Sequence, residues 1–172
     1  MSWILDATPL IYLAKAERLA VVETLEGGRI VPRPVYHETV TEGIEAGYGD
    51  ARRIERAVEN GILEVVAVDL DESAIASRLV RHSGLSDADV AVLACADARD
   101  AVAVMDKAVG RSAATVEGVE TRGTAYVVLS AVKGGALSAE AGRDTIDAMV
   151  ERGWYVAPDL YAAIVRKLEA LD

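Results

Sequence analysis

Cysteine occurs once in this sequence of 172 residues and lysine four times. No apolar run approaches the ~18 residues that a membrane span requires. The lone Cys95 sits in an apolar stretch, which excludes an internal disulfide framework. The N-terminus lacks a basic region followed by an apolar signal core. There is no low-complexity tract, no linker rich in Gly, Ser and Pro, no internal repeat and no glycine loop of the P-loop kind. These absences lead us to expect a cytoplasmic protein with no membrane segment. What is present is apolar and acidic. Hydrophobic residues make up 52% of the chain, enough for a sizeable core, and the length suits one domain that buries roughly 70% of its unfolded surface. A net charge of −10 excludes an indiscriminate nucleic-acid coat. It leaves room for a nucleic-acid enzyme, because a carboxylate pocket adds negative charge and a bound metal reverses the local sign. Only Lys15, Lys107, Lys133 and Lys167 are lysines among the 18 basic residues, a balance that suits a salt-rich cytoplasm.

Short apolar runs alternate with helical patterns. Trp3 to Asp6, Arg29 to Val31, Ile62 to Val68 and Ala101 to Met105 read as strands. Helices are expected from Thr8 and Pro9, a cap residue before a first-turn proline, and over Glu17–Leu25, Pro34–Ala46, Asp50–Asn60, Asp71–His82 and Ser86–Arg99. Another is expected beyond Asp106, and the chain from Gly123 reads as three helical pieces broken at Gly134-Gly135 and between Gly153 and Pro158. Strands separated by helices predict an α/β fold, a parallel sheet covered by helices on both faces. We divide it into a core over 1–122 and a helical extension over 123–172 packed on that core.

Four acids stand out. Two strands end alike, one in Asp6 and one in Asp106, and ligands in open parallel sheets bind outside the carboxyl ends of strands. Each aspartate equally reads as the start of the following helix. Asp89 enters a helix that is apolar on nearly every face, where an ionised carboxylate is costly without a compensating charge. A capping box with Ser86 is the structural alternative. Glu38 lies at the margin of the stripe formed by Tyr36, Val40 and Ile44, beside Val35, and taken alone reads as a surface glutamate early in a helix. Carboxylates gathered in one small pocket need a cation, and oxygen-only ligands select hard ions such as Mg²⁺ or Mn²⁺. Such ions activate a water nucleophile in phosphodiester hydrolysis.

The segments Ile4–Ala14, Val31–Val40 and Ser86–Ala96, in that order and spacing, resemble the motifs of PIN domains. The later Gly123–Gly135, Gly153–Val156 and Asp159–Tyr161 resemble an uncharacterised prokaryotic PIN subfamily that carries a C-terminal helical extension. The resemblance implies a PIN-like fold and a VapC-like, metal-dependent ribonuclease. Its four acidic positions fall on Asp6, Glu38, Asp89 and Asp106, with Asp87 and Thr8 as accessory positions of the same pocket. It further implies an RNA substrate and, as a toxin, a partner antitoxin. Two departures accompany it. Met105 and Lys107 flank Asp106 where relatives often carry a polar or acidic residue, and Ser86-Asp87 stands where the subfamily often has Gly-Glu.

Basic residues near the pocket, Lys15, Lys107 and Arg111, are candidates to steady a phosphate. Arg52, Arg53 and Arg56 read as a solvated face paired with Glu55 and Glu59. His37 and His82 lack metal-like spacing, and His82 reads as a cap. Cys95 reads as packing. Tyr126, Leu129 and Tyr161 suit a homodimer contact as readily as a core. The alternative to an enzyme is a catalytically inactive PIN module that binds RNA or a protein.

Overall fold

The computed structural model describes residues 1–82 and 84–172. Five parallel strands form the sheet: β1 Ser2–Leu5, β2 Gly28–Pro32, β3 Glu64–Val66, β4 Val102–Val104 and β5 Thr121–Arg122. Their order across the sheet is β3-β2-β1-β4-β5. The chain therefore builds outward from β1 through β2 to β3. It then crosses back to lay β4 on the other side of β1. The gap between β1 and β4 is the switch point at which open parallel sheets place their ligands.

The helices follow from the sequence with local corrections. Helix α1 (Ala7–Lys15) is capped by Asp6, whose side chain accepts from the Ala7 N–H, so the cap lies two residues before the expected Thr8. No α-helix covers Glu17–Leu25. Glu17 takes a left-handed φ of 58°, and only a 3₁₀ stretch, Leu19–Thr24, follows. Helical backbone runs through α2 (Arg33–Tyr36), a π-turn over His37–Thr41 and α3 (Glu42–Glu45). Then come α4 (Gly49–Glu59), a short α5 (Ala74–Leu79), α6 (Asp87–Arg99) and α7 (Ala108–Glu117). Ser73 caps α5, so the expected helix over Asp71–His82 begins late and ends early. The strand β5 was not anticipated, because two residues are too few to show an alternating pattern.

Helix α6 explains how the layers join. Nine successive residues, Ala88 to Ala96, are buried, and the helix packs on β1, β2 and β4. A helix apolar all round needs neighbours on every side, and here the sheet, α2 and α5 supply them. The three C-terminal helices are α8 (Thr124–Lys133), α9 (Ala139–Glu151) and α10 (Pro158–Ala170). Helix α8 rests on the 3₁₀ stretch and α9 on α1. Val127, Val128, Ile146, Met149, Trp154 and Ile164 belong to the same continuous hydrophobic core as the sheet. Among the described residues no helix is long and apolar enough to cross a membrane.

Candidate metal and nucleic-acid site

The switch point brings acids from three separate elements to one rim. Asp6 ends β1, and its backbone N–H donates to the Val104 carbonyl of β4 at 3.1 Å, which fixes it beside the neighbouring strand. The residue is 2% exposed. One oxygen caps α1, accepting from Ala7 N at 2.8 Å. The other, Oδ2, is buried with no hydrogen-bond partner. Burial, with the charges of Asp89 and Glu38, pushes the Asp6 carboxyl up to about 6, against the pull of the Ala7 N–H and of Lys107.

Asp89 arrives from the first turn of α6 and is 1% exposed. It forms the expected capping box: Asp89 N donates to Ser86 Oγ at 3.1 Å, and Ser86 N donates to Asp89 Oδ2 at 2.9 Å. The helix dipole adds support for this buried charge. Lys107 completes it, its ammonium lying 3.3 and 3.4 Å from the two carboxylate oxygens. The capping box and the lysine ion pair therefore meet on one buried carboxylate. Glu38 is exposed within the π-turn, close enough for its charge to act on Asp6. The Thr39 hydroxyl donates back to the Val35 carbonyl at 2.8 Å, a bond that accompanies this locally widened helix.

Asp106 is held differently. Thr124 donates to it twice, from N to Oδ1 and from Oγ1 to Oδ2, both at 2.7 Å, and Trp154 Nε1 donates to Oδ2 at 3.0 Å. A carboxylate offers about four acceptor sites, so three protein donors leave it little spare capacity. Gly123 permits this approach: a Cβ there would stand 3.0 Å from Asp106 Oδ1 and 3.1 Å from Arg111 Nη1. The C-terminal helical segment thus reaches Asp106 directly. Thr124 and Trp154 were not anticipated as site residues; their contacts span 18 and 48 positions of sequence, which no local pattern reveals.

The other expected positions separate. Thr8 is half-buried on the first turn of α1, next to Asp6. Asp87 is exposed and lines a cavity with Leu70, Asp71, Ser77 and Val80. Arg111 lies beside Asp106 and donates to the Met105 carbonyl at 3.3 Å. Lys15 stands at the far end of α1, roughly 13 Å along the helix from Asp6, over the rings of Tyr12 and Tyr48 at 5.8 and 5.9 Å. It does not join the acids. Arg52 pairs with Glu55 as expected, whereas Arg53 reaches Glu17. Met105 is fully buried against Gly110, so its departure from the PIN pattern is a core substitution and does not line the rim. Cys95 is buried and its thiol is pushed up by burial, as packing requires. His82 Nδ1 accepts from Gly84 N at 3.2 Å.

A PIN-domain family model matches residues 2–170. The chain belongs to the PIN-domain family. No curated protein and no solved structure gives a significant match. PIN domains are in general nucleases that use divalent metals and act on nucleic acid, so the chain is a nuclease-type module. Among the described residues no three His, Cys, Asp or Glu side chains converge as a ready metal-holding group. The donors nevertheless suit a hard cation. Asp6 Oδ2 is buried, anionic when ionised and unpartnered, and Asp89 already holds a cationic group.

Proposed function

We propose that this PIN domain is a Mg²⁺- or Mn²⁺-dependent endoribonuclease. The observation that carries this reading is the orphaned, buried oxygen of Asp6 at the sheet's switch point, with the Asp89 and Glu38 charges beside it. Asp6 and Asp89 would hold the metal, with Glu38 as a ligand or as orienter of the attacking water. When bound, the metal would polarise the scissile phosphate and lower the pKa of coordinated water. The protein's own contribution is preorganisation. The cap to Ala7 fixes the rotamer of Asp6, and the box with Ser86 fixes Asp89. Thr124 and Trp154 restrain Asp106 just beyond β4, where it would position the site or supply its remaining acceptor capacity. Arg111 is placed to meet an anionic backbone next to Asp106. The substrate class in this reading is RNA, and the reading includes a toxin role in which a partner antitoxin would block the acidic pocket with a basic side chain of complementary charge. A homodimer through the helical extension and a cytoplasmic location belong to the same proposal, as does the division into a 1–122 core and a 123–172 extension.

A specific observation favours a second reading, a binding module without turnover: three protein donors occupy Asp106 and a lysine occupies Asp89. Cleavage of labelled single-stranded RNA, with Mn²⁺ or EDTA and with Asp6→Asn in parallel, separates the two. Cleavage that requires both metal and Asp6 supports the nuclease. Intact RNA in the presence of bound metal supports the binding module.

A further inference from the structure

We propose that Lys107 is a tethered cation that occupies the acidic site until a divalent metal displaces it. The chain then carries its own competitor for the metal. Lys107 has this role only if the site takes metal, as proposed in the preceding section.

The two partners differ sharply in exposure. The Asp89 side chain is 1% exposed and the Lys107 side chain 49%. Desolvating a carboxylate this completely is costly, so a compensating charge beside the capping box stabilises Asp89. Lys107 supplies it by reaching inward from solvent. It directly follows Asp106 and precedes α7, with φ −58° and ψ 127°, outside the helical region. An ammonium on a flexible four-carbon stem can withdraw from there at little cost to packing.

The lysine leaves the site half satisfied. Its ammonium faces both oxygens of Asp89, at 3.3 and 3.4 Å, while Asp6 Oδ2 remains without a partner. A hard divalent ion gathers several oxygens around one centre and can therefore answer both carboxylates. Two cations cannot share Asp89 at this range without strong repulsion. Metal entry and lysine departure are therefore linked. Apparent affinity falls by the fraction of molecules in which the site is open, so a lysine in place nine-tenths of the time weakens metal binding about tenfold.

The test is Mn²⁺ binding by calorimetry on the full chain, comparing wild type, Lys107→Gln, Lys107→Arg and Asp6→Asn. Lys107→Gln removes the charge and is expected to bind Mn²⁺ about tenfold more tightly. Lys107→Arg keeps the charge and binds no more tightly than wild type. Melting curves provide a second readout. Without metal Lys107→Gln melts below wild type, because Asp89 has lost its counter-charge, and Mn²⁺ raises its Tm by more than it raises that of wild type. Equal or weaker Mn²⁺ binding by folded Lys107→Gln overturns the competitor role. If wild type binds Mn²⁺ and Asp6→Asn does not, that same result leaves the metal site standing and removes only the lysine's part. If no variant binds Mn²⁺, the metal-dependent reading itself fails and the competitor role with it.

Discussion

Replacing Asp6 with Asn should make the metal-free protein more stable at neutral pH, an unusual outcome for a fully buried residue that caps a helix. The magnitude follows from the carboxyl's environment. Its pKa rises from an ordinary 3.8 to about 6, chiefly through burial. Between those values the native state keeps a proton that the unfolded state has released. Stability therefore declines as pH rises through this window. A rise of about two pH units at roughly 1.4 kcal/mol each gives about 3 kcal/mol of destabilisation once the group is ionised. Asn is neutral and nearly isosteric. Its oxygen keeps the cap to the Ala7 N–H, and its amide places a donor where Oδ2 has no partner beside the Asp89 and Glu38 charges. Urea unfolding in EDTA, from pH 4 to 8, measures the difference directly. Asp6→Asn should match wild type near pH 4 and exceed it by about 3 kcal/mol above pH 7, which is about 6–12 °C in Tm for a chain of this size. A stability difference that does not change across this pH range would refute the reasoning, and so would a variant less stable than wild type at pH 7.

Three further substitutions probe the shell around the acids. Trp154→Phe removes the indole N–H from Asp106. It should cost about 1.5–3 kcal/mol in urea unfolding and reduce RNA cleavage without abolishing it. Thr124→Val deletes the hydroxyl donor to Asp106 but keeps the backbone one. It should lower stability by about 1–3 kcal/mol, read by calorimetric melting. Ser86→Ala breaks the capping box and should cost about 1 kcal/mol, with weaker Mn²⁺ binding because Asp89 loses one of its restraints.

The sequence made the architecture largely legible wherever periodicity was strong. The apolar runs at Trp3–Leu5 and Ala101–Met105 became β1 and β4, and the glycines at 134–135 and 153 mark the breaks between the C-terminal helices. Expectation failed where a single backbone angle or a very short element decided the outcome. Glu17 in the left-handed region ended the helical course before the 3₁₀ stretch, and β5 offered only two residues to read. In the site, Asp89 was visible because a carboxylate in an apolar helix has few explanations. The capping box does not exclude a second role, because the same carboxylate that closes the box also pairs with Lys107. What the sequence hid were pairings across the fold. Lys107 on Asp89, and Thr124 and Trp154 on Asp106, depend on the way the extension and the start of α7 fold back onto the rim.

The extension consequently bears on the site as well as on the core. Trp154 is 5% exposed and sits between α9 and α10, so the docking of both helices sets the position of its indole N–H.

The most direct test of the metal site is a crystal of the full chain grown with Mn²⁺ and measured for anomalous scattering. We expect a single strong peak bonded to Asp6 Oδ2 and Asp89, with Lys107 withdrawn from the carboxylate. Saturating Mn²⁺ that leaves Asp6 Oδ2 bare, or a peak at another surface of the protein, would contradict the central claim.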